Sequence, residues 1–84
     1  MPIQEDINYY IEEINRLGFE DKLNLSVTET SKILGISRSH LHMLITKNIG
    51  LAYIELGNKI LFPKKSIAEF QVNKSIKSNI RRKN

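Results

Sequence analysis

The chain contains no cysteine, which excludes disulfide scaffolds, thiolate zinc fingers and thiol catalysis and leaves packing alone to stabilise the fold. No apolar run approaches the ~18–20 residues that span a bilayer. The opening Met1-Pro2-Ile3-Gln4-Glu5-Asp6 also lacks the basic-then-apolar start of a secretion signal. The expectation is a cytoplasmic protein with no membrane partner. Common enzyme signatures are missing too: there is no glycine-rich phosphate loop, no nucleophile elbow and no His-Glu-x-x-His. Glu12-Glu13 is better explained as a solvated helix face than as a catalytic pair. Eighty-four residues make one small core that buries only ~60–65% of the unfolded chain's surface, leaving little room for a deep substrate cavity. With 40% hydrophobic and 26% charged residues, the chain has the composition of a folded globular domain. A binding module without catalysis or cofactor is therefore expected.

What charge is present is unevenly placed within a total of +4. Residues 1–24 carry six acids (Glu5, Asp6, Glu12, Glu13, Glu20, Asp21) against Arg16 and Lys22. Residues 74–84 carry Lys74, Lys77, Arg81, Arg82 and Lys83 and no acid. An acidic first quarter is unsuited to a polyanion, whereas clustered positive charge in the middle and tail raises association with phosphate backbones. Lysine outnumbers arginine nine to four, as an AT-rich coding composition also produces, so charge placement is more informative than the total.

Ile3, Ile7, Tyr10, Ile11, Ile14 and Leu17 recur at three- and four-residue intervals and predict an amphipathic first helix that ends at Gly18. Its apolar stripe must dock on its own domain or on a second copy, the latter giving a homodimer through Ile3 to Leu17. Ser26-Val27-Thr28-Glu29 is a capping box that starts a second helix, with Val27, Thr30, Ser31, Ile33 and Leu34 on its inner side and Gly35 ending it. Ile36 plugs the turn and Ser37 caps a third helix. Leu41, Leu44 and Ile45 form the inner face of that helix; Arg38, Ser39, His40, His42, Thr46 and Lys47 fall largely on the other. Two short helices joined by a glycine-containing turn make a helix-turn-helix. The period then shortens to two on either side of Gly57-Asn58, which predicts a β-hairpin with glycine first in its turn. With Leu56 facing Lys59, Ile54, Leu56 and Leu61 share one side and Tyr53, Glu55, Ile60 and Phe62 the other. Pro63 stops the strand and opens a short last helix containing Ile67 and Phe70. Beyond about Ser75 the apolar spacing is lost.

The stretch from Leu25 to Phe70 resembles the excisionase-type helix-turn-helix family, small domains of the winged-helix group that includes mercury-resistance-type regulators. The resemblance lies in five fragments: Leu25-Ser26-Val27-Thr28-Glu29, the turn Ile33-Leu34-Gly35-Ile36-Ser37-Arg38-Ser39, the inner positions Leu41, Leu44 and Ile45, the wing tip Leu56-Gly57-Asn58-Lys59, and the closing run from Phe62-Pro63 to Glu69-Phe70. Two positions depart from it. Ser31 stands where a small alanine is usual and is tolerable if its hydroxyl bonds back to the preceding turn. Met43 stands where a basic residue is common.

What this implies is a mostly α protein with a small β-hairpin, a winged helix-turn-helix carrying an extra N-terminal amphipathic helix. Residues 1–22 would be that helix and its connector, 23–74 the winged domain and 75–84 a basic flexible tail. The third helix would enter the major groove of double-stranded DNA. Arg38 is placed to contact bases or phosphate; Ser37 and Ser39 would hold phosphate or a cap, His40 and His42 would read bases or phosphates, and Thr46 and Lys47 would meet the backbone. At the wing tip, Asn58 and Lys59 suit a phosphate or minor-groove contact. His40 and His42 point about 200° apart on a helix and cannot share a metal as an i, i+4 pair can. Such a bacterial or phage-encoded protein would act either as an excisionase beside an integrase or recombinase, or as a transcription regulator beside RNA polymerase. The alternative is a protein-interaction module on a winged-helix core that has lost DNA binding, favoured by Met43, Leu51 and the sparse charge of the third helix.

Overall fold

The computed structural model describes the backbone of residues 4–82 and the side chains of residues 4–74. Helix α1 (Gln4–Ile14) runs on into a turn at Asn15–Phe19, kinked at Gly18, and is followed by β1 (Asn24–Leu25), α2 (Val27–Leu34), α3 (Arg38–Thr46), β2 (Ile54–Leu56), β3 (Lys59–Pro63) and α4 (Lys64–Arg82). The three strands form one antiparallel sheet in the order β1-β3-β2. The architecture is a winged helix-turn-helix with an additional N-terminal helix.

Both helices of the central pair start and stop where their sequence dictates. The Ser26 hydroxyl accepts from the Glu29 amide at 3.1 Å while the Glu29 carboxylate accepts from the Ser26 amide at 3.0 Å, so two orphan donors at the start of α2 are satisfied reciprocally. Ser37 caps α3 in the same way, accepting from the His40 amide at 3.0 Å. Removing such a cap costs ~1 kcal/mol. At the end of α2, Gly35 adopts φ +73°, and Gly35 and Ile36 donate to the Lys32 and Ser31 carbonyls. This is a Schellman closure, which needs a left-handed residue at that position. Asn48, at φ +56°, closes α3 the same way: Asn48 and Ile49 donate to Ile45 and Leu44. Asparagine is the residue other than glycine most at home there.

The hairpin has the expected register, with Leu56 opposite Lys59 and Ile54 opposite Leu61. Gly57 takes φ +63° and Asn58 does not enter the positive-φ region, which makes the turn glycine-first. The side carrying Ile60 and Phe62 is the one that docks: Phe62 is buried and Ile60 packs against the core. Tyr53 covers Phe62 with ring centroids 6.3 Å apart. The opposite side leaves Leu56 59% exposed.

One core cluster joins the helices to β1 and β3: Ile14, Leu25, Leu41, Leu51, Phe62 and Ile67 are buried together, with Phe19, Ile33, Leu34, Ile36, Leu44 and Ile45 among those packed around them. Leu51, expected as a surface feature of an interaction module, is a core residue, so it no longer supports that alternative. A second cluster places Ile7 of α1 against Ala68 and Val72 of α4, flanked by Tyr10 and Ile11. The apolar stripe of α1 therefore docks on its own chain. Leu17 is the exception: it is 61% exposed, one residue before Gly18 kinks the chain with φ +102°. Ile3 lies outside the described residues.

Two elements were not anticipated. β1 pairs Asn24 with Pro63 and Leu25 with Phe62, and the hydrogen bond from the Lys64 amide to the Leu23 carbonyl extends the contact. The last helix is not short: its backbone continues to Arg82, since no glycine or proline follows Pro63 to stop it. The expected flexibility of residues 75–84 falls on side chains outside the described residues. Among the described residues, no helix is long and apolar enough to cross a membrane.

Two polar groups of α2 have stability consequences. The Ser31 hydroxyl donates back to the Thr28 carbonyl at 2.8 Å, which accommodates serine at its buried position. The Thr30 hydroxyl, by contrast, is fully buried with no partner among the described residues, and an unsatisfied buried hydroxyl costs about 1–3 kcal/mol. Thr30→Val is accordingly expected to raise stability by about 1 kcal/mol, measured as a shift of the urea midpoint at constant slope; a lower midpoint would show that the hydroxyl is satisfied in solution.

Glu29 is held below the ordinary carboxylate range, first by its hydrogen bond with Lys22 and then by the Ser26 amide, the Lys22 Nζ lying 2.6 Å from Glu29 Oε2. A carboxylate with a depressed native pKa stabilises the fold above its unfolded pKa and loses that contribution as pH falls through the native value. Unfolding free energy is thus expected to decline as the pH falls through and below the ordinary carboxylate value of 4.5. In Glu29→Gln, which keeps an acceptor for the Ser26 amide but no charge for Lys22, the decline is smaller. Equal pH profiles for the two proteins would rule out Glu29 as a source of the acid sensitivity.

Candidate nucleic-acid interface

The interface is assembled on α3. Leu41 is 0% exposed, and Leu44 and Ile45 are half-buried beside it, so the inner face of the helix is sealed against the core. A helix advances ~100° per residue, which sends the remaining positions outward. Ser39, Met43 and Thr46 form the row opposite the buried face, Arg38 and His42 lie on one flank, and His40 and Lys47 on the other. Every one of these residues is exposed. The side chains of Arg38 and Lys47 have no ion-pair or hydrogen-bond partner among the described residues. Both charges are therefore free to meet an anion at no cost in broken contacts.

Ser37 is exposed as well, but its hydroxyl oxygen already accepts from the His40 amide. It serves first as the cap that starts the helix, and only its remaining donor is available to a ligand. Asn58 and Lys59 stand exposed at the wing tip. Lys59 lines a broad concavity with Lys22, Asn24, Ser26, Thr28 and Glu29, which joins β3 to the start of α2 rather than to α3. The structure thus brings seven of the nine expected residues onto one helix and its cap, and holds the other two on a separate projection.

Electrostatics favour an anionic partner at this surface. No aspartate or glutamate occurs between Glu29 and Glu55, so α3, its turn and the approach to the wing carry only positive formal charge. The acids of α1 lie on a helix that packs on α4. Counting acid-free stretches along the chain would have found this signal directly.

Lys64 is not available to a phosphate. A lysine at the start of a helix opposes the helix dipole, a cost that a nearby anion would offset. Instead its Nζ donates to Asn15 Oδ1 and to the Phe19 carbonyl at 3.2 Å, which ties the end of the α1 turn to the base of β3. Met43 is the residue whose place matters more than its chemistry suggested: 42% exposed, it occupies the middle of the outermost row. Among the described residues, no group of three or more His, Cys, Asp or Glu is positioned to hold a metal ion.

Comparison with curated proteins and with solved structures finds no match. The model of one family does match, that of a helix-turn-helix domain of the excisionase type, over residues 25–75. Its span runs from Leu25, through both capped helices and the wing, into α4, and it supports DNA as the partner. Since that is more than half of the chain and includes the whole of the exposed helix just described, the protein belongs to the excisionase-type helix-turn-helix family.

Proposed function

We propose that this protein binds duplex DNA with sequence preference, laying α3 in the major groove and the wing tip against the phosphate backbone. The observation that carries this reading is the outward face of α3, exposed, free of carboxylates and bearing two cations that have no partner among the described residues. The major groove, ~12 Å wide, admits one helix with its side chains. Arg38, at the first turn, is placed where recognition helices reach base edges. Its planar fork can engage a guanine bidentately, a contact worth ~1–3 kcal/mol of discrimination. Lys47 at the far end and Lys59 on the wing would meet phosphates, with Ser39, Thr46 and Asn58 adding hydrogen bonds to backbone or bases and His40 and His42 flanking them. No step of this function asks for catalysis.

Two uses of the bound state suit such a protein. As an excisionase it would shape DNA for an integrase or recombinase; as a transcription regulator it would occlude or recruit RNA polymerase. The fold serves both. The stripe on α1 that would have formed a homodimer seam is occupied by α4, so self-association is not part of the proposal. An interaction module without DNA binding is the second reading, and the exposed thioether of Met43 is what favours it, since methionine suits adaptable protein contacts.

Selection of preferred duplexes from a random pool, followed by fluorescence anisotropy across a salt series, tests the proposal. Wild-type affinity is expected to fall linearly on a log–log salt plot, each phosphate neutralised contributing about −0.9 to the slope. Arg38→Ala combined with Lys47→Ala abolishes binding while retaining the fold. Lys64→Ala, which loses the Asn15 and Phe19 contacts, lowers the melting temperature but leaves the salt slope intact. Absence of any salt-dependent DNA binding by the folded wild-type protein would transfer the surface to a protein partner.

A further inference from the structure

Met43 stands in the middle of the outermost row of α3, between Ser39 one turn before it and Thr46 one turn after. Those two neighbours are short hydroxyls. The thioether is the longest side chain of the row and is 42% exposed. The cations sit on the flanks, at Arg38 on one side and Lys47 on the other. Resting on the proposal that α3 enters the major groove, we infer that Met43 is a specificity-determining residue that selects thymine by packing against its C5-methyl group.

The chemistry leaves few options for such a side chain. Methionine has no hydrogen-bond donor and only a weakly accepting sulfur. The floor of the major groove presents acceptors on guanine, a donor on cytosine, both on adenine, and one apolar group, the thymine methyl. Over a G·C pair, Met43 would strip water from N7, O6 or N4 without replacing the lost hydrogen bonds, and an unmet polar group of this kind carries a penalty. Over thymine, two apolar surfaces leave water together. Discrimination therefore has an attractive and a repulsive component. Three rotatable bonds let the thioether adjust to the position of the methyl group, while Leu41, buried directly behind the row, fixes the backbone from which it reaches.

The test replaces each thymine of the selected duplex in turn by deoxyuridine, which keeps the pairing and the charge and removes only the methyl group. For the wild type, one position, or two adjacent ones, is expected to lose about fourfold in affinity, the worth of one buried methyl group. Met43→Ala abolishes that difference between thymine and uracil, and Met43→Leu, which restores an apolar contact, largely recovers it. Thermal melts of both variants match the wild type because the side chain is outside the core. Salt-dependent binding that is indifferent to uracil at every position overturns this inference while leaving the proposed function standing. So does a methyl effect that persists undiminished in Met43→Ala, which would assign the contact to another residue. Absence of DNA binding by the wild type overturns both and returns Met43 to the face of a protein partner.

Discussion

The interface depends on the burial of Leu41. A nine-residue helix is far below the length that is stable alone in water, so α3 exists and has a defined orientation only because one side of it is held by the core. Leu41 supplies that hold with no exposed surface, and Leu44 and Ile45 complete it from the next turn. Rotation of the helix by one residue would carry Leu41 toward solvent and draw a polar neighbour inward. The orientation of all the outward side chains, charged and apolar alike, is thus a consequence of where one leucine is packed.

The remainder of the fold supports that arrangement from several directions. Leu25 and Phe62, opposite each other across β1 and β3, form part of the bed that receives Leu41, and Ile67 of α4 joins them. Two serine caps and two Schellman closures set the lengths of α2 and α3, so the turn between them is short and its geometry is determined by local bonds. Lys64 then links three elements through one ammonium group, from the α1 turn to the junction of β3 and α4. A lysine at the N-terminus of a helix is unfavourable for that helix, and here the carbonyl of Phe19 and the amide of Asn15 offset the cost.

Much of this was legible along the chain because it is encoded by neighbours. The capping box at Ser26 and Glu29, the left-handed Gly35, the Ser37 cap and the Leu56 to Lys59 register each involve residues within a few positions of one another, and each stands in the structure as the spacing implies. The identity of the exposed face of α3 followed from three apolar positions at helical intervals. What could not be read depended on distance in sequence. β1 is two residues long and exists only because Pro63 and Phe62 lie beside it; nothing in Asn24-Leu25 announces a strand. The partners of Lys64 are 45 and 49 residues away. Leu17 fits the apolar period of the first helix but stands exposed beside the Gly18 kink. Met43 was visible as an exception, yet its central place on the face emerges only once the buried side is known.

The sheet arrangement has a further effect. β3 is paired on both sides, which leaves β2 as the outer strand of the wing, and only three residues long. So brief a margin presents too few free amides and carbonyls to template an added strand. The apolar side chain of Leu56 can therefore remain in water near the tip without turning the wing into a site of lateral growth into fibrils.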